Sequence, residues 1–472
     1  MGFTPTYDDL DERQPWENKF YNTLIDDLQT FANALTGADF AAPLVLSKSG
    51  QDLDGGDHYV YGFKRWFGHG TNISVRDVTA FGATGGGAVS DLAAIQATID
   101  DLPTSGGAVF FPPGTYLVSG AINMRGTGGT RNNVTLYGFG KATVLKLANA
   151  ANASVIEVST TGTATGMLIQ DLRITSNSAN QTSTVAGISC TNANDVTIEN
   201  VWIDDVKGDG ILLDGADRVR VHGARVTDCT RHGIAHGSSG GQGTYVTIEG
   251  CHIESNDATG LDFEYPPLYL IVCGNQVFDN VQHGIQCYFN TGTSFEEVLI
   301  ANNILQNNGS AGGTAFDGIT VVHAGGVTCR NVVISGNVLN SGDRDGIVLE
   351  GNATSHIRGF SITGNTIVGQ IFKGIRVGAN VKYGTITGNV VMNSNSYGLD
   401  VNGTSGNTAA YLSITGNCFA DDRAGLASQD YGIVLGAFAD SCVAIGNTLY
   451  GNVTAQLLDQ GTNNDIAHNP GF

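Results

Sequence analysis

The 472 residues are enough to bury a large core, either as two or three ordinary domains or as one elongated repeat array. Apolar residues make up 41%, which excludes a disordered chain, and the 66 glycines, about twice the usual share of roughly 7%, follow no collagen-like period. With 23 Lys and Arg against 44 Asp and Glu the formal charge is −21, which argues against nucleic acid or an anionic membrane surface as partner. A neutral polymer suits such a chain better than an anionic one, unless cations bridge.

The opening "MGFTPTYDDLDERQPW" has no basic region and no apolar run, so no secretory signal is read there. No stretch of 18 apolar residues exists, so no membrane insertion is expected. "PWENKFYNTLIDDLQTFANALTG" predicts an amphipathic helix, followed by the aromatic and Gly-rich "HYVYGFKRWFGHG". Residues 1–74 therefore form an appended extension, for assembly or attachment. "SDLAAIQATIDDL", Ser90 to Leu102, predicts a second helix with Ser90 as its cap and Leu92, Ile95 and Ile99 on one side. That helix is placed to cover the open amino-terminal end of a stack of β-coils.

From about Val196 two phrases alternate. One is "VTIEGCHI", "LIVCGNQV", "SITGNTIV" and their kin, whose Asn residues (Asn275, Asn303, Asn337, Asn365, Asn389, Asn417, Asn447) recur at intervals of 24 to 34 residues. The other is "DGILL", "HGIAH", "TGLDF", "HGIQC", "DGITV", "DGIVL". Short period-two strands separated by Gly and Asn turns at such a period predict an all-β solenoid over residues 75–472. Coils stacked about 4.8 Å apart pair every strand with its neighbours above and below, and the Asn column becomes an internal ladder. The eight cysteines mostly fall about one repeat apart without a CxxC pair, so buried thiols are expected ahead of disulfides, and zinc is not.

"VRDVTAFGATGGGAVSDLAAIQATIDDLPTSGGAVFFPPGTYLVSG", Val75 to Gly120, closely resembles the opening of the pectate-lyase-like superfamily of right-handed parallel β-helices, with Gly86 where the family often has Asp. The resemblance implies a single-stranded right-handed parallel β-helix with an N-terminal capping helix, in a family that includes lyases, hydrolases, epimerases and phage tailspikes. A narrower similarity, to mannuronan C5-epimerases, covers "HGIAHG", "TGLDFEY" and "VQHG". It implies that Glu264 and Tyr265 fall on that family's Asp-Tyr and His283 on its catalytic His. His232 stands in place of the proton-delivering Tyr, Ala235 replaces an Asp, and His236 fits only with a one-residue shift.

Taking the Gly of each second phrase as zero, the residues at +1 and +3 are aliphatic in most coils and are expected to point inward, with +2 and +4 outward and the polar −1 residue flanking the same face. Asp262 and Glu264 then sit two apart on one strand, roughly 6.5–7 Å at the backbone, with Asp214 two coils away, near 10 Å. Those spacings permit glycoside hydrolysis by paired carboxylates without choosing its stereochemistry, and crowding raises one pKa to supply a general acid. His232 and His283 are candidate acid or base groups. Tyr265, Tyr288, His236, Arg231, Asp209 and Gln286 are candidate substrate contacts.

The expected function is a polysaccharide-active enzyme cleaving glycosidic bonds in a lateral groove, extracellular or virion-associated. Hydrolysis by Asp262, Glu264 and Asp214 is preferred because outward Lys and Arg are scarce near them, whereas elimination on a uronate needs its carboxylate neutralised. No cofactor or metal is required, although Ca²⁺ bridging would restore the lyase or C5-epimerase alternative. The rival class is a non-catalytic phage tail fibre or glycan-binding adhesin, with a homotrimer formed through the N-terminal region.

Overall fold

The computed structural model describes residues 75–470, apart from 160–161, 238–241, 290–295, 310–314, 327, 341–343 and 425–427. The expectations for residues 1–74, the amphipathic helix and assembly role among them, lie outside the described residues.

These residues form a parallel β-solenoid with very little helix. Each coil contributes strands to a sheet of 28 strands and to a second sheet of 13, and the pairing runs in parallel from one coil to the next. In the thirteen-strand sheet we number eight successive strands β1 (Ile211–Leu212), β2 (Ile234–His236), β3 (Leu261–Phe263), β4 (Ile285–Phe289), β5 (Ile319–His323), β6 (Ile347–Glu350), β7 (Ile375–Val377) and β8 (Tyr397–Val401).

The +1 residues of these strands, from Ile211 and Ile234 through Leu261 and Ile285 to Leu399, stand in register and are completely buried. Each fully buried aliphatic side chain contributes about 1.5–3 kcal/mol relative to exposure, and each is buried by its copies in adjacent coils. The preceding glycine is dictated by close approach. A Cβ on Gly233 would stand 2.7 Å from the Gly260 carbonyl oxygen, and one on Gly260 2.8 Å from that of Gly284. No side chain fits there, which is why the second phrase always carries Gly.

The Asn column is the expected ladder. Asn275 donates its backbone N–H and its Nδ2 to Asn303 Oδ1, both at 2.9 Å, and Nδ2 also reaches the Ile248 carbonyl. The same three bonds recur at Asn303, Asn337, Asn365, Asn389, Asn417 and Asn447, and the column ends on Asn469. Turn polar groups that water cannot reach are thus satisfied from coil to coil.

The helix spans Leu92–Asp100 and buries Ile95 and Ile99 in the common core. Its cap differs from expectation. Ser90 ends the strand Gly86–Ser90, and Asp91 holds the cap position with its carboxylate turned back to the Thr84 and Gly85 N–H groups. The first coil takes that carboxylate to tie down its own entry turn. All eight cysteines are free thiols, six of them buried.

Candidate active site

The side chains preceding each glycine do more than flank a face. Those of Asp209, His232, His283, Asp317 and Asp345 turn along the sheet and accept the backbone N–H found at the same position one coil on, whereas Thr259 interrupts the row. Asp209 Oδ1 accepts from His232 N–H at 3.2 Å, His232 Nδ1 from Thr259 N–H at 3.2 Å, and His283 Nδ1 from Asp317 N–H at 2.9 Å. Asp317 Oδ1 then accepts from Asp345 N–H at 3.3 Å and Asp345 Oδ1 from Lys373 N–H at 3.0 Å. This second ladder draws its members inward, leaving Asp209 3% and Asp317 2% exposed, where the sequence pattern places them beside open solvent.

The ladder also fixes two tautomers. Burial holds the His232 and His283 pKa values down at about 4, so both rings are neutral at pH 7. Since Nδ1 of each accepts a hydrogen bond, the ring proton is on Nε2. His232 Nε2 lies 3.5 Å from Asp262 Oδ2. The His283 ring meets Phe316 edge to face, with centroids 5.2 Å apart.

Asp262 projects from β3 between Ala235 of β2 and Gln286 of β4. It is only 7% exposed. Burial, then the nearby Glu264 and Asp209 carboxylates, push its pKa up to about 7 against the pull of Arg231. Glu264, two residues further on, is exposed. Arg231 pairs with Asp209, Nη1 to Oδ2 at 3.1 Å. Asp262, Glu264, His232, Asp209 and Arg231 are thus brought together, and His283 stands two coils on from His232 in the same ladder. Gln286, Tyr265 and Tyr288 are half-buried along the same strands and their turns.

Two expectations are corrected. His236 is not a face residue: it occupies the inward column with Phe263 and Cys287, is 1% exposed, and burial lowers its pKa to about 4. A third position after glycine points into the coil whatever residue fills it. Asp214 is likewise buried at 4%, under the turn where Gly237 approaches its carboxylate, and so does not stand free beside Asp262.

Sequence reasoning also missed cations. Arg344 clamps Asp317 with two bonds (2.8 and 2.9 Å), Arg376 meets Asp345 (3.2 Å) and Glu350 (2.8 Å), and Lys373 meets Asp400. These residues continue the same sheet, so outward cations are not scarce. Carrying the +2 count on to Arg376, and noticing that Arg231 and Arg344 share the −2 position, would have found them.

A stacked parallel solenoid with an acid- and imidazole-bearing sheet defines a class of protein, and similarity to known proteins narrows it. A family model described as rhamnogalacturonase A/epimerase, pectate lyase-like, matches residues 75–286, and one described as periplasmic copper-binding protein (NosD) matches 310–470. Residues 75–286 thus carry a likeness to the pectate-lyase-like superfamily. Mannuronan C5-epimerase AlgE5 of Azotobacter vinelandii is 29% identical over 246 residues, covering 50% of this chain and 22% of the relative. The chain therefore spans only about a fifth of the length of that relative. Among solved structures, the catalytic unit of a GH87 α-1,3-glucanase from Streptomyces thermodiastaticus is similar with a TM-score of 0.54, 17% identity and coverage of 84% of this chain and 69% of that one. Bacteriophage CBA120 tailspike protein 3 is similar with a TM-score of 0.52, 12% identity and coverage of 84% and 62%. These two likenesses show the shared fold. Copper has no matching donor set, since no three His, Cys, Asp or Glu side chains converge on one point among the described residues.

Proposed function

We propose that the protein is a polysaccharide-active enzyme that hydrolyses glycosidic bonds along the thirteen-strand sheet, with Asp262 as general acid and Glu264 as the second carboxylate. The observation that carries this reading is a buried carboxyl on β3 with a pKa of about 7, two residues from an exposed carboxylate in the turn that follows the strand. At neutral pH a large share of Asp262 still holds the proton that the leaving glycosidic oxygen needs, while Glu264 faces solvent to deprotonate a water or to attack the sugar carbon directly. His232 and His283 are hydrogen-bond donors here, not bases, because the N–H on each Nε2 is the group left free by the ladder. Tyr265, Tyr288 and Gln286 supply sugar contacts, and Asp209 positions Arg231. No cofactor is needed for these steps. The helix at Leu92–Asp100 closes the first coil, and the protein acts outside the cell or on a virion, where its glycan partner is found.

The test is a polysaccharide panel with mass analysis of products, run on the full chain and on Asp262→Asn and Glu264→Gln. Hydrolysis gives new reducing ends with no unsaturated product, and both variants lose turnover while keeping binding. Binding without any turnover in the unsubstituted chain identifies a tail fibre or adhesin and ends the catalytic reading.

A second reading is favoured by the cations Arg344, Arg376 and Lys373 and by the similarity to a C5-epimerase: action on a uronate polymer, by elimination or epimerisation, with Ca²⁺ bridging the substrate carboxylate. An unsaturated-uronate chromophore, or altered uronate composition without cleavage, abolished by EDTA, selects it. The tautomers of His232 and His283 weigh against it, since neither ring offers a free lone pair to abstract a carbon-bound proton.

A further inference from the structure

The other, 28-strand sheet carries a hollow of about 650 Å³ far along the chain from Asp262, built on five successive coils from Asn331 to Val443. Its form comes from one bent residue per coil. Asn331 (φ 55°), Gly359 (72°), Tyr383 (61°), Tyr411 (60°) and Ser441 (54°) all take the left-handed conformation at the equivalent place, and the strand pairing skips them. Gly tolerates that conformation, and Asn is enriched in it; a bulky residue does not adopt it without strain. Yet two adjacent coils place tyrosine there. The Tyr383 and Tyr411 rings lie parallel, 3° apart in plane with centroids at 5.0 Å, and both are about half exposed. Strain kept at an exposed aromatic pair beside a hollow is a pointer to function, since the ring, not the backbone, is what the position retains.

Beside the rings runs a row of hydroxyls. Ser361, Thr385 and Ser413 are register partners, one per coil, with Thr385 Oγ1 donating to Ser361 Oγ at 3.2 Å. The floor is Phe360, whose ring lies so close to Gly384 that a Cβ there would come within 2.1 Å of it. Among the described residues no charged side chain lines the hollow, in a chain of net charge −21. Aromatic faces, a hydroxyl row repeating at about the 4.8 Å coil spacing, and an uncharged lining match an uncharged polysaccharide laid along the solenoid axis.

We propose that this hollow is a second glycan-binding site, selective for uncharged polysaccharide. The inference does not depend on the reaction at Asp262. Electrophoresis of the full chain through gels containing laminarin, mannan or dextran, and in parallel alginate or polygalacturonate, tests it. At least one uncharged polymer retards the protein, and the double variant Tyr383→Asn, Tyr411→Asn weakens that retention at least tenfold, whereas Asp262→Asn leaves it intact. Asparagine suits the left-handed backbone, so the double variant removes the rings without loss of fold. Thr385→Val, which keeps shape and removes one hydroxyl, weakens retention several-fold. The proposal is overturned if no uncharged polymer retards the chain, if the double variant is retained as well as the parent, or if sedimentation shows the tyrosines to hold two copies of the chain together with glycan retention unchanged.

Discussion

Two stretches of the same thirteen-strand sheet bury acids and treat them differently, Asp317 and Asp345 just before the glycine, Asp262 and Asp400 two residues after it. From β5 to β8, Asp317, Asp345 and Asp400 are buried and each has a cationic partner in Arg344, Arg376 or Lys373. At β3, Asp262 is equally buried but is met by His232, a neutral ring, and by other carboxylates. Burying a charge is tolerated when it is paired, and otherwise the group takes up a proton. Burial raises the pKa of Asp317 as well, to about 6 against the pull of Arg344, so the two stretches differ in degree: Asp262, without a direct cationic partner, reaches about 7. The difference between structural and chemical use of an aspartate here is the identity of its neighbour one coil away.

The largest expected effect tests the unpaired half. Asp262→Asn lowers turnover by about 10²–10⁴-fold, the usual range for a lost general acid, measured as reducing ends released. The same substitution stabilises the fold at alkaline pH. An ordinary aspartate in the unfolded chain has a pKa near 3.9, and Asp262 in the folded chain about 7. Below the first value both states are protonated and nothing is lost. Between the two the unfolded chain ionises first, so stability falls as pH rises, by up to about 4 kcal/mol once pH exceeds the folded pKa. Asp262→Asn should flatten that stretch of the stability profile, seen as Tm against pH, and activity of the parent should fall as pH rises through about 7. A parent profile already flat between those values breaks the comparison.

The paired half predicts the reverse. Arg344→Met strands the Asp317 carboxylate, buried and formerly clamped at 2.8 and 2.9 Å, and should destabilise by about 3 kcal/mol. The loss should shrink in acid, where Asp317 protonates. A smaller cost is expected at the Asn ladder. Asn365→Ala leaves the Asn337 N–H and Nδ2 donors without the Asn365 oxygen, costing about 1–3 kcal/mol in denaturant unfolding with no change in pH dependence.

Much of the fold was legible because a solenoid must repeat itself. The Asn and Gly phrases mark places where any other residue would leave a donor orphaned or strike the next coil's carbonyl, so the stacking is written in the letters. Period-two alternation put Asp262 and Glu264 together on one exposed strand face, whereas Asp262 is buried in β3 and Glu264 lies exposed in the turn just after it. What the letters hide is the contact between coils. That His232 and His283 surrender Nδ1 to the next coil's backbone, and so become donors, depends on register to a fraction of a coil. The chemistry of His236 suggests a sugar contact, but its place in the inward column decides against one. Arg344 and Arg376 reach acids 27 to 31 residues earlier, one coil back, a pairing visible only when the repeat phrases are aligned coil on coil.

The smallest effect sharpens the comparison from outside the sheet. On the 28-strand sheet, Glu254 Oε2 meets Arg225 Nη2 at 3.0 Å and His252 Nε2 at 2.8 Å, distances as short as those around Asp317. There, however, both charged groups remain about one-third exposed, so water already solvates them and salt screens them. Glu254→Gln should therefore change stability by under about 1 kcal/mol, with even that difference vanishing as ionic strength rises. The Arg344 variant, whose partner carboxylate is sealed from water, should keep its defect at the same salt. Equal costs for the two pairs would mean that contact distance sets the energetics of these acids. Unequal costs assign it to burial, the property that leaves Asp262 holding a proton.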